Sequence, residues 1–305
     1  MDKVKNDQTI FMSSVRSAYG RDCLRMLVDS LRAFGGEIGQ SLFWIFTPEP
    51  ENGLFGNWKQ VDVEIFPLDV PESIRHYLFA SKVSVCAQAE AMAAGKVRSL
   101  VWIDPNCLVV NPPVLYALVE GYDAAVRPVH IRNVGLPVNE PLDAFWEEIY
   151  KTVGVQDIEM AVQSFVDQQT LRAYFNSHAF AVNPSLGLMQ QWLEGFQTLV
   201  CDQEFQKHAC QDESHQVFLF QALLSALLVT SIDPRRIRIL PPTYNYPYNL
   251  QQSLAPERRA KVLNELVSLT YEDRPIDPAV VNDIVIEEPL RTWLLNREEI
   301  KASGG

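Results

Sequence analysis

Two oxygen-bearing side chains, Asp104 and Asn106, stand between two apolar runs in the stretch SLVWIDPNCLVVNPP, residues 99–113. The first run predicts a buried strand, and an acidic residue directly after such a strand lies where open parallel sheets bind ligands. Taken alone, such an aspartate can equally be a loop residue or a helix cap. Two side-chain oxygens at this spacing can act together in one site: one can bind a metal, and the other can orient a ribose or a water.

The elements that must position these side chains alternate between short apolar runs and helical patterns, which is typical of α/β architecture with a largely parallel central sheet. The strands predicted to belong to one sheet are residues 9–14, 41–46, 61–66 and 99–103, and a further strand is predicted over 176–183. The predicted helices cover 21–36, 81–94 and 213–228, and the last is apolar enough to be a core helix. Asn111 before Pro112 and Asn183 before Pro184 match the pattern of a helix N-cap and first turn.

Composition excludes several classes of function. The chain has 305 residues, is 47% hydrophobic and carries a net charge of -12, so nucleic acid is not expected as a partner. The apolar runs are shorter than a membrane span requires, and the polar start MDKVKNDQ does not resemble a signal peptide, so no transmembrane segment is expected. Five scattered cysteines without a CxxC pair favour neither disulfides nor zinc, and they fit a cytoplasmic location.

The frame VWIDPNCLVVNPP resembles the nucleotide-sugar-dependent glycosyltransferases of the GT-A fold, in particular glycosyltransferase family eight. In that family a strand ends in an Asp-x-Asp motif, followed by an apolar stretch and a proline, and here Asn106 stands in place of the second acid. The resemblance extends to about residue 250 in matching order. It implies a GT-A-like three-layer α/β/α sandwich with a mostly parallel sheet, as a single domain over 1–305. Its nucleotide-binding half would cover about 1–130, and its sugar and acceptor half with a tail about 131–305.

Other segments carry the same resemblance to the donor-binding parts of the family. The opening strand TIFMSS is similar to the family's first strand and implies a donor contact from Ser13. Lys82, at the start of the helix before the Asp104 strand, matches a basic position near the donor's diphosphate. FNSHAFAVNPS resembles the family's Asn-Ala-Gly strand, which implies that the sugar pocket is lined by Asn176, Ser177 and His178.

Two carboxylates are implied as catalytic residues. DESHQVFLFQALLSALL falls where the family has an Asp-Gln-Asp turn entering a buried helix, so Asp212 and Glu213 would lie beside the transferred sugar. Transfer from a nucleotide diphosphate sugar breaks the bond between the anomeric carbon and a phosphate oxygen. A carboxylate there could take the acceptor's proton in an inverting enzyme or stabilise the oxocarbenium-like state in a retaining one.

A divalent cation, manganese or magnesium, is the cofactor that the resemblance implies, because it would neutralise the leaving diphosphate. The implied ligands are Asp104 and Asn106, with Glu272 or Asp273 of VSLTYEDRP where the family has a metal-binding histidine. Asn106 offers an oxygen without a charge, so a weak metal site is expected.

The departures from the family pattern leave the function open between two classes. Asn106, the missing carboxyl-terminal histidine and His178 in place of a glycine are compatible with a different donor, a metal-independent transferase or a fold that has lost catalysis. One reading is therefore a glycosyltransferase that moves a sugar, expected to be uridine diphosphate-linked, to an unknown acceptor. The other is a non-catalytic GT-A-like protein that binds sugar nucleotides or acts as an interaction module. A nucleotidyltransferase fits less well, because SSVRSAYGRD is poor in the glycines that such enzymes need after the first strand.

Each candidate side chain also has a purely structural interpretation. Asp212 precedes a helix and could be only its N-cap, and Lys82 could be a solvated helix end. His178 could be a hydrogen-bonded structural histidine, and Asn176 with Ser177 could satisfy a strand terminus. Only the three-dimensional arrangement separates these interpretations from a site.

Overall fold

The computed structural model describes residues 8–50, 58, 60–272, 274, 276–278 and 281–297. The strands of the described residues are β1 (Thr9–Ser14), β2 (Leu42–Thr47), β3 (Val63–Pro67), β4 (Ser99–Ile103), β5 (Cys107–Val109), β6 (Ala124–Pro128), β7 (Ala161–Gln163), β8 (Thr170–Arg172), β9 (Phe175–Val182), β10 (Ile237–Ile239), β11 (Tyr246–Pro247) and β12 (Ser268–Thr270). The α-helices are α1 (Ala18–Phe34), α2 (Ala80–Ala93), α3 (Ala144–Thr152), α4 (Leu188–Cys201), α5 (Gln203–His208), α6 (Glu213–Ser231) and α7 (Leu290–Leu295).

A seven-stranded sheet in the order β10-β6-β9-β4-β1-β2-β3 forms the centre of the fold. The pairs β4-β1, β1-β2, β2-β3 and β10-β6 are parallel, whereas β9 runs antiparallel to both of its neighbours. The four amino-terminal strands predicted from the sequence lie side by side in this sheet, so that prediction is confirmed, as is the α/β class with a mostly parallel sheet. The carboxyl ends of β4, β1 and β2 meet at one edge, where loops present polar groups.

Helices cover both faces of the sheet because its central strands are apolar on both sides. Alternate residues of β1 and β4 enter two separate cores, with Met12 and Trp102 on one face and Phe11 and Val101 on the other. The first core lies under α2, α3, α4 and α6, and the second lies under α1. This is the three-layer arrangement expected of a GT-A-like fold.

Helix α6 is the most apolar element of the first layer. Its residues Leu219 to Leu228 are all buried, and the helix packs on α4, α3 and β9. By length and composition alone it is also the one described helix that could cross a membrane, a test that core helices pass as well, and 56% of the tested window is buried inside the protein. The prediction of a core helix over 213–228 is thus confirmed.

A small sheet in the order β11-β12-β5 packs beside α1. The residues that follow its strand β12 border the candidate site described below. Strand β5 follows Asp104 and Asn106 directly and pairs antiparallel with β12. The predicted helix after Asn111 is wrong, because only a 3-10 turn forms at Val114–Tyr116. The Asn111 amide instead donates to the carbonyl oxygens of Asn264 and Leu266, each at 2.6 Å.

Candidate functional site

A cavity of about 500 Å³ opens at the carboxyl ends of β1 and β4. We call it the cleft. It is lined by Tyr19, Phe79, Lys82, Asp104, Asn106, Ser177, His178, Val217, Phe218, Phe220, Gln221 and Glu272. Six of the side chains that the sequence singled out therefore line one cavity, although they span 190 positions of the chain.

Asp104 is placed by the pairing of β4 with β9. Its backbone N–H donates to the His178 carbonyl at 2.7 Å, and its own carbonyl accepts from Cys107 N at 3.1 Å, which turns the chain into β5. The indole N–H of Trp102 donates to Oδ1 at 2.8 Å. The carboxylate is therefore fixed at the base of the cleft before any ligand binds.

Lys82 lies in the first turn of α2 and pairs with Asp104. Its Nζ is 2.8 Å from both Oδ1 and Oδ2, and it also donates to the Ser177 carbonyl at 3.3 Å. The Lys82 and Asp104 side chains are 7% and 13% exposed. Lys82 is therefore not a solvated helix end, and its three N–H donors all have acceptors.

Three aromatic rings surround the Lys82 ammonium. Nζ lies 5.5 Å from the ring centre of Phe79 and 5.3 Å from those of Trp102 and Phe220, within the range of cation–π attraction. Phe79 stacks on Phe220 with ring centres 4.5 Å apart. It does so from a left-handed backbone conformation, φ 61°, which is strained for a side chain of this size.

Ser177 is held by a polar stripe on the otherwise apolar helix α6. The backbone N–H and Oγ of Ser177 both donate to Gln221 Oε1, at 3.1 and 2.8 Å. One turn later Ser225 Oγ accepts from Phe175 N at 2.9 Å. These bonds fix the register of β9 against α6, so Ser177 lines the cleft with Lys82, whereas Asn176 lines a smaller adjoining recess.

His178 and Glu272 form a second charge-bearing pair at the opposite wall. His178 Nε2 lies 3.2 Å from Glu272 Oε1, and its Nδ1 lies 3.0 Å from Asn176 Oδ1. Asn176 Oδ1 also accepts from His178 N and from the Asn245 amide, so both ring nitrogens of His178 face oxygen acceptors. The hydrogen bond from His178, ahead of the opposing effect of burial, holds the pKa of Glu272 below its usual range. Glu272 is therefore an ionised carboxylate at neutral pH.

His130 stacks behind His178, with ring centres 6.1 Å apart and planes 5° from parallel. Its Nε2 donates to the Asn245 carbonyl at 2.9 Å. Burial, with the nearby Arg127 charge, lowers the pKa of His130 well below its ordinary value, so this ring stays neutral. His130 thus supports His178 without adding charge.

Asn106 reaches the cleft through the pairing of β5 with β12. Its carbonyl accepts from Tyr271 N at 3.0 Å, which draws Glu272 alongside the Asp104 turn. The Asn106 amide oxygen is buried and has no hydrogen-bond partner among the described residues. It is a buried neutral acceptor beside the Asp104 turn.

Two smaller cavities adjoin the cleft on opposite sides. One, of about 290 Å³, shares Tyr19, Phe79, Lys82, Asp104 and Asn106 with it and extends to the start of α1. The other, of about 190 Å³, shares His178, Phe218, Gln221 and Glu272 and extends to the loop after β6. The Lys82–Asp104 pair therefore borders one recess and the His178–Glu272 pair the other.

Four of the predicted site residues lie outside the cleft lining, and one of them, Asn176, lines the recess beside the loop after β6. Asp212 is exposed and caps α6, where its carboxylate accepts from His215 N at 3.0 Å, so the N-cap interpretation is confirmed. Glu213 follows it on the first turn of the helix, also exposed. Ser13 is fully buried in β1, whereas its neighbour Ser14 lines the smaller recess beside α1. The catalytic role of the two acids stays a prediction, and Asp273 lies outside the described residues.

No protein-family model matches this chain, and no curated protein matches it. Among solved structures, the chain is similar to mouse xyloside xylosyltransferase 1 in its apo form. The two share a TM-score of 0.48 and 11% sequence identity, over 88% of this chain and 99% of that one. At this level the similarity concerns the fold and does not extend to substrates.

The implied divalent cation does not fit the side chains as they stand. Both oxygens of Asp104 accept from Lys82, and Glu272 Oε1 accepts from His178. Asn106 brings an oxygen but no charge, and the described residues contain no group of three His, Cys, Asp or Glu side chains that could hold a metal ion. The three predicted ligands thus share one cleft, but Asp104 is already paired with Lys82, and Glu272 Oε1 with His178.

Sequence reasoning missed the aromatic and amide side chains of the cleft. Phe79 precedes the predicted helix 81–94 and was given no role, and Phe220 and Gln221 lie inside the apolar run of α6. His130 has no sequence partner at a spacing that indicates a site. The one sequence signal at these positions is Gln221 itself, a polar residue at the centre of a core helix, where an unpaired amide would be costly.

Proposed function

We propose that this protein is a glycosyltransferase that moves a sugar from a nucleotide diphosphate sugar, uridine-linked, to an acceptor hydroxyl in the cleft. One observation carries the proposal: Lys82, Asp104, Asn106, Ser177 and His178, singled out by type and order in the sequence, line one cavity at the carboxyl ends of the sheet. The two adjoining recesses supply room for a donor and an acceptor on either side of them.

In the proposed reaction the bond from the anomeric carbon to the diphosphate breaks, and the diphosphate leaves with the electron pair. The acceptor oxygen forms the new bond, and its proton passes to the departing diphosphate. Glu272, ionised beside His178 and within the cleft, is suited to stabilise the positive charge that develops on the sugar. We propose Glu272 for the carboxylate role that the sequence assigned to Asp212 or Glu213, because Glu272 lines the cleft and they do not.

A non-catalytic sugar-nucleotide binding protein is the second candidate. The observation in its favour is that Lys82 and Asp104 satisfy one another without a ligand. Because the N–H donors of Lys82 already have acceptors, Lys82 is less available to a leaving diphosphate than a lysine that faces solvent.

The test combines binding with turnover. A thermal-shift screen of nucleotide diphosphate sugars, with manganese and with a chelator, should give a stabilisation that grows with ligand concentration. Release of the nucleoside diphosphate then measures turnover, and Glu272→Gln should lower kcat by at least about tenfold while binding is retained. Glu194→Gln, an exposed position on α4, is the matched control and should change neither.

The outcomes separate the two candidates. Binding of a sugar nucleotide without release of its nucleoside diphosphate, with any tested acceptor or with water, would favour the non-catalytic protein. Turnover that survives Glu272→Gln but is lost in Asp212→Ala or Glu213→Ala would return the catalytic role to the start of α6. No stabilisation by any sugar nucleotide would remove both candidates.

A further inference from the structure

The cleft already supplies partners for its own carboxylates. Each of its two carboxylates contacts a basic side chain: Asp104 at 2.8 Å from Lys82, and Glu272 at 3.2 Å from His178. A divalent cation binds through charged, unshared oxygen atoms. At Asp104 both oxygens are in contact with Lys82, so a cation there would have to displace the ammonium, and at Glu272 it would compete with His178 for Oε1.

Lys82 is not free to move aside for a cation. Its ammonium is packed among the rings of Phe79, Trp102 and Phe220, and its side chain is 7% exposed. If Asp104 were taken by a metal, Lys82 would remain as a buried positive charge next to a second, larger one, and the two would repel. The ion pair and the metal therefore exclude one another at this carboxylate.

The contacts of Lys82 still leave it one way to meet an anion. Its bond to the Ser177 carbonyl, at 3.3 Å, is longer than its two contacts with Asp104 at 2.8 Å. A phosphate oxygen can replace that carbonyl while the pair with Asp104 stays intact. Lys82 lines both the cleft and the recess beside α1, so a ligand in either one reaches it.

We propose that this cleft binds the diphosphate of its ligand without a divalent cation, and that Lys82 supplies the positive charge in its place. This inference rests on the proposed function for the identity of the ligand. It corrects the expectation of a weak manganese or magnesium site at Asp104, Asn106 and Glu272. It also assigns Asp104 a new task, which is to hold the ammonium in position rather than to ligate a metal.

The primary test compares the unmutated protein in two buffers. Uridine diphosphate is titrated by calorimetry with a chelator present and with manganese present. The dissociation constant should differ by less than about twofold between the two buffers, because no metal contributes to binding. This comparison needs no variant, so a folding defect cannot obscure it.

A variant tests the role of Lys82 itself. Lys82→Met should weaken uridine diphosphate binding in chelator by at least about tenfold, and manganese should restore part of the loss because Asp104 is then open to a cation. In the absence of nucleotide, the Lys82→Met protein should also bind manganese measurably more tightly than the unmutated protein. Lys96→Met, an exposed lysine just beyond the same helix, is the matched control and should behave as the unmutated protein.

The results distinguish failure of this inference from failure of the proposed function. Binding of uridine diphosphate to the unmutated protein in manganese but not in chelator would overturn the inference and leave the proposed function standing. Equal manganese affinity of the unmutated and Lys82→Met proteins would also overturn it. No binding of any nucleotide diphosphate in either buffer would remove both.

Discussion

Lys82 and Asp104 form the buried ion pair of the cleft, and a double-mutant cycle measures how strongly they interact. The Lys82 Nζ lies 2.8 Å from both carboxylate oxygens, and neither side chain is more than 13% exposed. Two unit charges about 4 Å apart attract by about 4 kcal/mol at an effective dielectric constant of about 20. Loss of one partner leaves the other charged and buried, which costs about 3 to 5 kcal/mol.

Lys82→Met and Asp104→Asn are each expected to lower the free energy of unfolding by about 3 to 5 kcal/mol. The double variant leaves no unpaired charge. Its loss in free energy of unfolding should therefore be smaller than the sum of the two single losses, by about 2 to 3 kcal/mol. Urea unfolding at neutral pH, followed by circular dichroism and by tryptophan fluorescence, gives the four free energies. A cycle with Lys96→Met in place of Lys82→Met is the control and should be additive.

The reasoning is refuted if the Lys82 and Asp104 effects are additive to within about 0.5 kcal/mol. In that case the two charges would be screened by water, and the pair could not exclude a metal from the cleft. A change in the urea dependence of unfolding, rather than in its midpoint, would point to an effect on the denatured state.

Two further predictions concern charged side chains away from the cleft. The hydrogen bond from Arg236 is the main cause of a lowered pKa at Asp123. The ionised carboxylate therefore stabilises the folded protein at pH values above its unfolded pKa of about 3.9. This stabilisation is lost as the pH falls through the lower pKa of Asp123 in the folded protein. Urea midpoints between neutral and acidic pH should therefore fall less steeply in Asp123→Asn, and an unchanged slope would contradict this. Arg127 is 3% exposed, two of its nitrogens have no partner among the described residues, and burial lowers its pKa to about 10. Arg127→Met should leave the melting temperature unchanged or raise it, whereas a loss above about 1 kcal/mol would contradict this and show that the contact with the Phe165 ring, 4.5 Å away, outweighs the cost of burying the charge.

The fold was largely predictable because its strands are short apolar runs that end in polar residues. Strand β4 ends at Asp104 as the sequence indicates, and β1, β2 and β3 lie beside it within two residues of their predicted bounds. Asn111 was misassigned as a helix cap because its amide donates to the carbonyls of Asn264 and Leu266, which lie 153 and 155 positions further along the chain. A local sequence pattern contains no information about a hydrogen bond to a distant segment.

The site was predictable in its residue types but less so in its pairings. Ser13 was chosen one position from Ser14, which lines the recess, because side chains alternate along a strand and a shift of one residue reverses the face. The pairing of Lys82 with Asp104 joins α2 to β4 through a buried contact, and no spacing in the sequence encodes it. The effect of Asn106 on a metal site could not be judged from the sequence, because it depends on what Lys82 contacts.

Helix α6 has a consequence for how the chain is made at the ribosome. It is the described helix most similar in length and apolarity to a membrane anchor, and it would be hazardous if left exposed during synthesis. Its partners in the core, namely β9, α3 and α4, all precede it in the chain. Domains fold as units as they emerge, the amino-terminal part first. Chain order thus supplies a docking surface before the most aggregation-prone segment emerges, and it limits the time in which α6 is open to a membrane or a chaperone.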